Sequence, residues 1–323
     1  MRSYPYTVIS CDIGGTSIAS ALVRYENNDM PKLIHQKSIP TEAAAGGSVV
    51  LDRLVEIVRF QLEYAQEKSY HVAGIGVDAA GCIDAETGSI YYAGELMPGW
   101  TGQRVCDRLN EEFGFPSALM GDVHAHALGE ARWGAAKNLG SALVVASGTG
   151  LGGAYVLDSK VVRGAHGAAG HLGHSLSPEA FDYICSCGHK GHIESVASGT
   201  GIGALYQGVS AMDNRYQPEL DGAYVSKQAQ QGEAHAQEVL YNSGFALGKA
   251  IGSWVNIFDP EAVILSGSVL AAGDIWRNAV TEGFKTQVIY ALRETPILSA
   301  ALENGAPLIG AAENLIDTLC DNE

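Results

Sequence analysis

Basic side chains are scarce in this sequence. Its 323 residues include 20 Lys and Arg against 36 Asp and Glu, which gives a formal net charge of −16 at pH 7. Nucleic-acid binding depends on clustered Lys and Arg that neutralise phosphates, so this balance argues against a nucleic-acid partner. The strand-like run SYPYTVISCDIGG begins at Ser3, and we therefore expect no helix-turn-helix module ahead of the first core strand.

Long apolar runs are missing as well, and cysteine is sparse. No stretch has membrane-spanning length and no signal-peptide pattern is present, so we expect a cytoplasmic protein without a membrane partner. The six cysteines do not make a disulfide scaffold, and only Cys185 and Cys187 lie close together in the sequence. Forty glycines and ten prolines are typical of an α/β enzyme with tight turns.

The same design occurs twice along the chain. Segments 6–26 and 141–164 each read as an apolar strand, a glycine-rich turn, a second apolar strand and a polar turn. Between them, an amphipathic helix is predicted by the 3-and-4 spacing of Leu51, Leu54, Val55, Val58 and Leu62. Together with the chain length, the repeat predicts two related α/β domains.

Glycine-rich loops are the first candidate binding sites. In DIGGT, residues 12–16, the glycines let backbone N–H groups approach a phosphate, and Asp12 could hold Mg²⁺ or its water shell. A hairpin turn explains one such loop equally well. The second loop, SGTGLGG at residues 147–153, favours a pair that grips different phosphates of one nucleotide, although neither loop is a Walker A or dinucleotide motif. The predicted nucleotide-binding residues are Asp12, Gly14, Gly15, Thr16, Gly148, Thr149, Gly150 and Gly267.

Charge near these loops is also informative. Lys and Arg are scarce around both of them, so backbone amides and Mg²⁺ are expected to carry most of the charge neutralisation. The third glycine stretch, LSGSVL at residues 265–270, follows an apolar strand and could border the adenosine.

Asp122 is the candidate general base. It stands where a strand-like run passes into the helix-like run DVHAHALGEARW. An Asp in that position could accept a proton from a hydroxyl that attacks a γ-phosphate, or it could simply be a helix N-cap. A metal-binding stripe of Asp122, His126 and Glu130 is a third possibility, and an ordinary buried polar face explains that spacing better.

The stretch CSCGHKGHIE, residues 185–194, is a candidate zinc site. Zn²⁺ takes four nitrogen or sulfur ligands in a tetrahedron, and the two glycines allow the backbone to fold around it. The spacing is not that of a common zinc finger, and a glycine-rich turn with two spare thiols is the alternative. The predicted ligands are His174, Cys185, Cys187 and His192.

Five motifs together resemble the ROK family of sugar kinases and repressors, within the actin-like/hexokinase superfamily. They are DIGGT, GTGLGG, GAHGAAGHLGH, CSCGHKGHIE and NIFDPEAVILSGSV, and they span essentially the whole chain. The resemblance implies an α/β, two-lobed actin-like ATPase fold of the ribonuclease H type with a cleft between the lobes. We expect an N-terminal lobe at 1–120, a C-terminal lobe with the zinc motif at 121–307, and a helix at 308–323 that packs back on the first lobe.

The resemblance also implies the site residues and the reaction. Asp122 is similar to the base that deprotonates the sugar 6-hydroxyl, and Glu194 to the carboxylate that holds sugar hydroxyls. ATP, Mg²⁺ and structural Zn²⁺ are the implied cofactors, and a homodimer is expected. The substrate-binding residues implied are Gly81, Gly121, His171, His174 and Glu194.

Three departures from the family pattern concern specificity. His192 replaces the third zinc cysteine, His171 replaces the Glu of the usual GExGH, and Gly121 replaces the Asn that precedes the base. The GHxGH pattern resembles bacterial N-acetylmannosamine kinases, so N-acetylmannosamine is the first expected substrate. Glucose, N-acetylglucosamine, allose and fructose are the alternative sugars, and a non-catalytic sugar-responsive regulator is the alternative class.

Overall fold

The computed structural model describes residues 4–94 and 97–321. The strands are β1 Tyr6–Ile13, β2 Ser17–Tyr25, β3 Lys32–Pro40, β4 Val72–Ala79, β5 Cys82–Asp84, β6 Ser89–Tyr92, β7 Ser117–Gly121, β8 Ser141–Ser147, β9 Leu151–Leu157, β10 Lys160–Val161, β11 Ala262–Ser266 and β12 Ile297–Ser299. The helices are α1 Gly47–Glu67, α2 Val105–Phe113, α3 Asp122–Trp133, α4 Glu194–Ala197, α5 Gly199–Gln207, α6 Gly222–Gln230, α7 Ala234–Phe258, α8 Asp274–Gln287 and α9 Ala306–Asp321.

The chain forms two compact units. The first contains the described parts of Met1–Asn138, Ser159–Ala169 and Ala301–Glu323, and the second contains Leu139–Asp158 and Gly170–Ala300. This division differs from the expected boundary after residue 120, because α3 packs against α9 and thereby stays with the first unit.

The first unit is built on a five-stranded sheet in the order β3–β2–β1–β4–β7. The three strands β1, β2 and β3 form an antiparallel meander, whereas β4 and β7 run parallel to β1. β1 is buried along most of its length, as its apolar sequence predicts. Because parallel strands end at one edge, their carboxyl ends place Asp12, Asp78 and Gly121 on neighbouring strands.

Helix α1 covers one face of this sheet. Its residues Leu51, Leu54, Val55 and Val58 are buried, which confirms the predicted amphipathic helix. Helix α9 packs against α3 and against β1, β4 and β7. Glycine is required at that crossing, because a Cβ on Gly310 would lie 1.8 Å from the carbonyl oxygen of Ala125.

The second unit repeats the arrangement of the first. β8 and β9 form an antiparallel hairpin, β11 runs parallel to β8, and β12 runs parallel to β11, so that the order is β9–β8–β11–β12. The strand β11 occupies the apolar segment predicted ahead of the third glycine stretch, and the long helix α7 precedes it. A close α7–α8 pair supplies much of the core, which includes the fully buried Trp276. Within the described ranges, no helix is long and apolar enough to cross a lipid bilayer.

Candidate functional site

Three carboxylates gather at one edge of the first unit's sheet. Asp12 is at the end of β1 and is paired in register with Asp78 near the end of β4. Asp122 is the first residue of α3, directly after β7, and its negative charge acts on Asp78. The chain therefore brings the predicted base and the predicted magnesium ligand to the same sheet edge.

Asp78 was not predicted from the sequence. It is fully buried, and neither of its oxygens finds a hydrogen-bond donor within the described part of the chain. Burial, and then the negative charge of Asp12, raise the pKa of Asp78 well above its ordinary value. Burial also raises the pKa of Asp12, and the interaction with the Asp78 side chain opposes that rise. A carboxylate inside the apolar run GIGVDAAG was the signal that could have revealed it.

The DIGGT loop is the hairpin that joins β1 to β2. The N–H of Gly14 donates to the carbonyl of Ser17, and the Thr41 hydroxyl donates to the carbonyl of Gly14 at 2.7 Å. Gly15 and Thr16 are exposed at the tip, and a Cβ on Gly15 would meet nothing within 4 Å. The loop is thus a hairpin whose tip presents open backbone, which fits both readings of the motif.

Asp122 does not cap its helix. The N-cap residue of α3 is Gly121, and an Asp122 carboxylate oxygen accepts a hydrogen bond from the N–H of Val123. Gly81 lies beside this position, because a Cβ on Gly121 would be 3.8 Å from its carbonyl oxygen. The three predicted residues Gly81, Gly121 and Asp122 therefore share one site.

The stripe that begins at Asp122 is not a metal site. Both oxygens of Glu130 are used by backbone groups, since they accept from the N–H groups of Ala135, Ala301 and Leu302. His126 is largely buried, which lowers the pKa of its imidazole. The group of metal-ligating side chains found among the described residues lies elsewhere.

The second unit holds the other two glycine loops side by side. Gly148, Thr149 and Gly150 form the turn between β8 and β9. Gly267 follows β11 with φ +94°, and a Cβ there would lie 2.1 Å from the carbonyl oxygen of Ser147. Only glycine fits at this position, because both the left-handed backbone and the close approach exclude a side chain.

A cleft of about 280 Å³ opens beside these loops. One wall is the face of α6 that carries Ser226, Lys227 and Gln230, and the N–H of Gly199 donates to the carbonyl of Gly148 at its base. The sequence did not indicate this wall, because α6 lies about 80 residues downstream of Thr149. A larger groove of about 460 Å³ on the first unit, between β3 and α1, contains none of the predicted site residues.

The four predicted zinc ligands form one cluster. One ligand atom from each of His174, Cys185, Cys187 and His192 lies within 4.8 Å of all the others. The two Nδ1 atoms are 3.3 Å apart, Cys185 Sγ is 3.6 Å from Nδ1 of His174, and Cys187 Sγ is 3.2 Å from Nδ1 of His192. Tetrahedral zinc with Zn–N bonds of about 2.0–2.1 Å and Zn–S bonds of about 2.3 Å places its ligand atoms roughly 3.3–3.8 Å apart. The three short separations lie in or close to this range, and the set of two nitrogens and two sulfurs fits a zinc ion.

The protonation states of the cluster depend on burial. Burial is the main reason that the pKa of the Cys185 thiol rises to about 12. Burial, and then the neighbouring His174 and His189, lower the pKa of His192 and keep its imidazole neutral, as a metal ligand requires. A bound cation would reverse the preference of the thiol, because zinc takes cysteine as the thiolate.

Glu194 links the Cys/His cluster to the GTGLGG loop. Its Oε2 accepts from the N–H of Leu151 at 3.0 Å, and its Oε1 accepts from the Ser186 hydroxyl at 2.7 Å and from the Cys185 thiol at 3.3 Å. His171 is exposed nearby, with its ring centroid 5.9 Å from that of His174. The ring contact therefore places His171 beside the Cys/His cluster, and Glu194 joins that cluster to Leu151.

A model of the ROK family matches residues 8–317 of this chain. The chain belongs to the ROK family. The glucokinase of Halalkalibacterium halodurans is 30% identical over 312 residues, which cover 94% of this chain and 92% of that protein. The N-acetylmannosamine kinase of Yersinia pseudotuberculosis is 31% identical over 307 residues, which cover 94% and 96%.

A solved ROK structure matches the fold. The ROK family glucokinase from Streptomyces griseus, in complex with glucose and AMPPNP, is 25% identical, with a TM-score of 0.75 over 95% of this chain and 98% of that one. The predicted family, the actin-like ATPase fold and the class of ATP-dependent sugar kinases are thereby confirmed. Glucokinase and N-acetylmannosamine kinase relatives are almost equally similar to this ROK protein, so identity alone does not select its sugar.

Proposed function

We propose that this ROK sugar kinase transfers the γ-phosphoryl group of ATP to the 6-hydroxyl of N-acetylmannosamine. Glucose or another hexose is the alternative acceptor. The proposal is carried by Glu194, whose carboxylate accepts a hydrogen bond from the backbone of the GTGLGG loop and whose Cβ lies beside Gly173 of the GHLGH segment. A carboxylate in that position can hold sugar hydroxyls next to a nucleotide loop.

Asp122 is the proposed general base. As the 6-oxygen attacks the γ-phosphorus, the new O–P bond forms, the bond to the β-phosphate oxygen breaks, and the hydroxyl proton passes to the Asp122 carboxylate. The start of a helix suits an anionic side chain, since the helix dipole favours negative charge there. Asp12 would hold Mg²⁺ or its water shell, and the ion would neutralise phosphate charge.

The nucleotide-binding proposal rests on the second unit's cleft. The hydroxyls of Thr149 and Thr200 and the open glycine backbone supply donors at its base. Lys227 adds an ammonium group that forms no ion pair with any described carboxylate. We therefore add Lys227 of α6 to the backbone amides and Mg²⁺ that are expected to neutralise the phosphate charge.

The sugar preference is proposed from two departures. His171 can both donate and accept a hydrogen bond, whereas the Glu that usually stands there only accepts. Gly121 carries no side chain, and the space where its Cβ would be has no atom closer than 3.5 Å. Room at position 121 and a donor at position 171 each suit an N-acetyl group, so each departure favours N-acetylmannosamine.

His174, Cys185, Cys187 and His192 would hold the zinc ion, and its chemistry would be structural. A zinc ion bound by four protein side chains has no open position for substrate, and it orders the loop that carries its ligands. We also propose a homodimer, which light scattering of the zinc-loaded protein would test.

The decisive experiment is an ADP-release assay with ATP and Mg²⁺ against N-acetylmannosamine, N-acetylglucosamine, glucose, mannose, allose and fructose. Turnover should be fastest with N-acetylmannosamine and should be nearly abolished by Asp122→Asn. The matched control is Asp107→Asn, which changes a half-buried Asp in the first turn of α2 that pairs with Arg104. Faster turnover of glucose would replace the proposed sugar, and near-normal turnover by folded Asp122→Asn would refute the base assignment.

A further inference from the structure

Ser186 is the middle residue of the Cys-x-Cys segment, and it is not one of the four proposed zinc ligands. Its hydroxyl donates a 2.7 Å hydrogen bond to Oε1 of Glu194. The same oxygen accepts from the Cys185 thiol at 3.3 Å, while Oε2 accepts from the N–H of Leu151 at 3.0 Å. Three protein donors from two loops therefore converge on one carboxylate.

We propose that Ser186 is a positioning residue that sets the plane of the Glu194 carboxylate for sugar binding. The inference rests on the proposed function, in which Glu194 holds sugar hydroxyls. It adds a role for a residue that touches neither the metal nor the sugar in that scheme.

The carboxylate plane of a glutamate needs outside support. The terminal torsion of a Glu side chain is broad, unlike the staggered torsions nearer the backbone. The inner part of Glu194 packs against Gly173, where a Cβ would lie 3.2 Å from the Cβ of Glu194. Beside the carboxylate stands Gly150, which has no side chain to fix the plane, although a Cβ there would lie 2.9 Å from Oε2. The orientation of the two oxygens is consequently set by the hydrogen bonds that reach them.

Ser186 is the principal side-chain donor to the Glu194 carboxylate. Its hydrogen bond to Oε1 is 2.7 Å long, against 3.3 Å for the bond from the Cys185 thiol, and a thiol is the weaker donor. The Leu151 N–H binds the other oxygen, Oε2. Because each carboxylate oxygen has about two acceptor sites, Oε2 keeps one free for a sugar hydroxyl.

The competing explanation is that Ser186 only shapes the turn between the two cysteines. The two explanations differ in what the variant should change. Loss of a turn-shaping residue would weaken the zinc site, whereas loss of a positioning residue would weaken sugar binding and leave zinc in place.

The test is calorimetric titration of zinc-loaded protein with the preferred sugar of the panel, in the absence of nucleotide. Ser186→Ala should weaken sugar binding about tenfold, the effect of one hydrogen bond to a charged acceptor. Zinc content and the affinity for ATP–Mg²⁺ should not change, and Ser186→Thr should restore most of the sugar affinity. Ser253→Ala is the control, since that hydroxyl donates to its own helix in the same unit.

A crystal structure of each zinc-loaded protein without sugar provides a second measurement. We expect one carboxylate orientation of Glu194 in the wild type and a rotated or divided one in Ser186→Ala. Unchanged sugar affinity, loss of zinc, or an unchanged carboxylate in Ser186→Ala would each overturn the proposal. If the wild type binds none of the sugars, the proposed function fails, and the carboxylate orientation still decides the role of Ser186.

Discussion

Replacing Glu130 should destabilise the first unit far more than replacing any exposed glutamate. The side chain of Glu130 is 0% exposed, and its two oxygens accept from the backbone N–H groups of Ala135, Ala301 and Leu302 at 2.7–3.0 Å. These bonds join the end of α3 to the segment that precedes α9. The carboxylate therefore helps to hold the helix that begins with Asp122.

The magnitude follows from the number of donors. Each buried N–H left without an acceptor costs about 1–3 kcal/mol, so Glu130→Ala should lower the free energy of unfolding by about 4 kcal/mol. Glu130→Gln keeps one acceptor oxygen but points an amide N–H₂ at backbone donors, and we expect roughly half that loss. The exposed Glu111 on α2 is the matched control, and its replacement by Ala should change stability by less than about 0.5 kcal/mol.

Urea unfolding followed by fluorescence measures the global effect, and amide hydrogen exchange locates it. In Glu130→Ala, the N–H groups of Ala301 and Leu302 should exchange much faster than in the wild type, while those of the second unit's core strands should not. A loss below about 1 kcal/mol, with both amides still protected, would refute the account of Glu130 as the acceptor that holds this segment.

Three further outcomes are expected. Lys227→Ala should weaken ATP–Mg²⁺ binding about fivefold, as for one exposed charge pair, and the difference should shrink at high salt. Cys187→Ser should lower the bound zinc measured by plasma emission, and it should reduce sugar affinity more than ATP affinity. Asp78→Asn should raise stability at neutral pH. In the unfolded chain the Asp78 carboxyl loses its proton near pH 4, whereas in the folded chain it keeps the proton to a higher pH. The wild type therefore loses stability as the pH rises from about 4 through the raised pKa of folded Asp78.

Each of these outcomes has a matched check. Lys285→Ala removes a lysine of the same unit outside the cleft, and it should leave ATP affinity unchanged. Equal ATP affinity of Lys227→Ala and wild type would remove the lysine from the nucleotide site. Full zinc content in Cys187→Ser would mean that another side chain, such as His189, takes its place. Parallel pH–stability curves for Asp78→Asn and wild type would contradict the raised pKa of Asp78.

The fold was predictable because its signals are local. The two glycine hairpins, the amphipathic α1 and the strand before Gly267 each carry a pattern within about 20 residues. The grouping of the four candidate zinc ligands was also predictable, since three of them lie within eight residues and the fourth, His174, precedes them by a short loop. Chemistry that is complete in one segment can be recognised without knowing the fold.

The side chains that the sequence did not reveal depend on contacts between distant segments. Asp78 becomes unusual only when β4 pairs with β1 and sets it beside Asp12. Lys227 becomes a candidate ligand only when α6 forms one wall of the cleft that borders Thr149. In the sequence, the first looks like one polar residue in a strand and the second like one charge on a surface helix. Their significance is created by the register of a sheet and the placement of a helix.

The loop of the candidate zinc site has little other than hydrogen bonds to order it. Five consecutive residues, 186–190, are exposed, so burial of apolar surface contributes little to the order of this loop. Two backbone hydrogen bonds close it, from Cys185 to His189 and from Gly188 to Cys185. A bound zinc ion would add four bonds to side chains, and the free energy of zinc binding would stabilise the folded loop. Because Ser186 stands between two of those ligands, its hydrogen bond to Glu194 should be only as well ordered as the metal site, and sugar affinity should therefore follow zinc content.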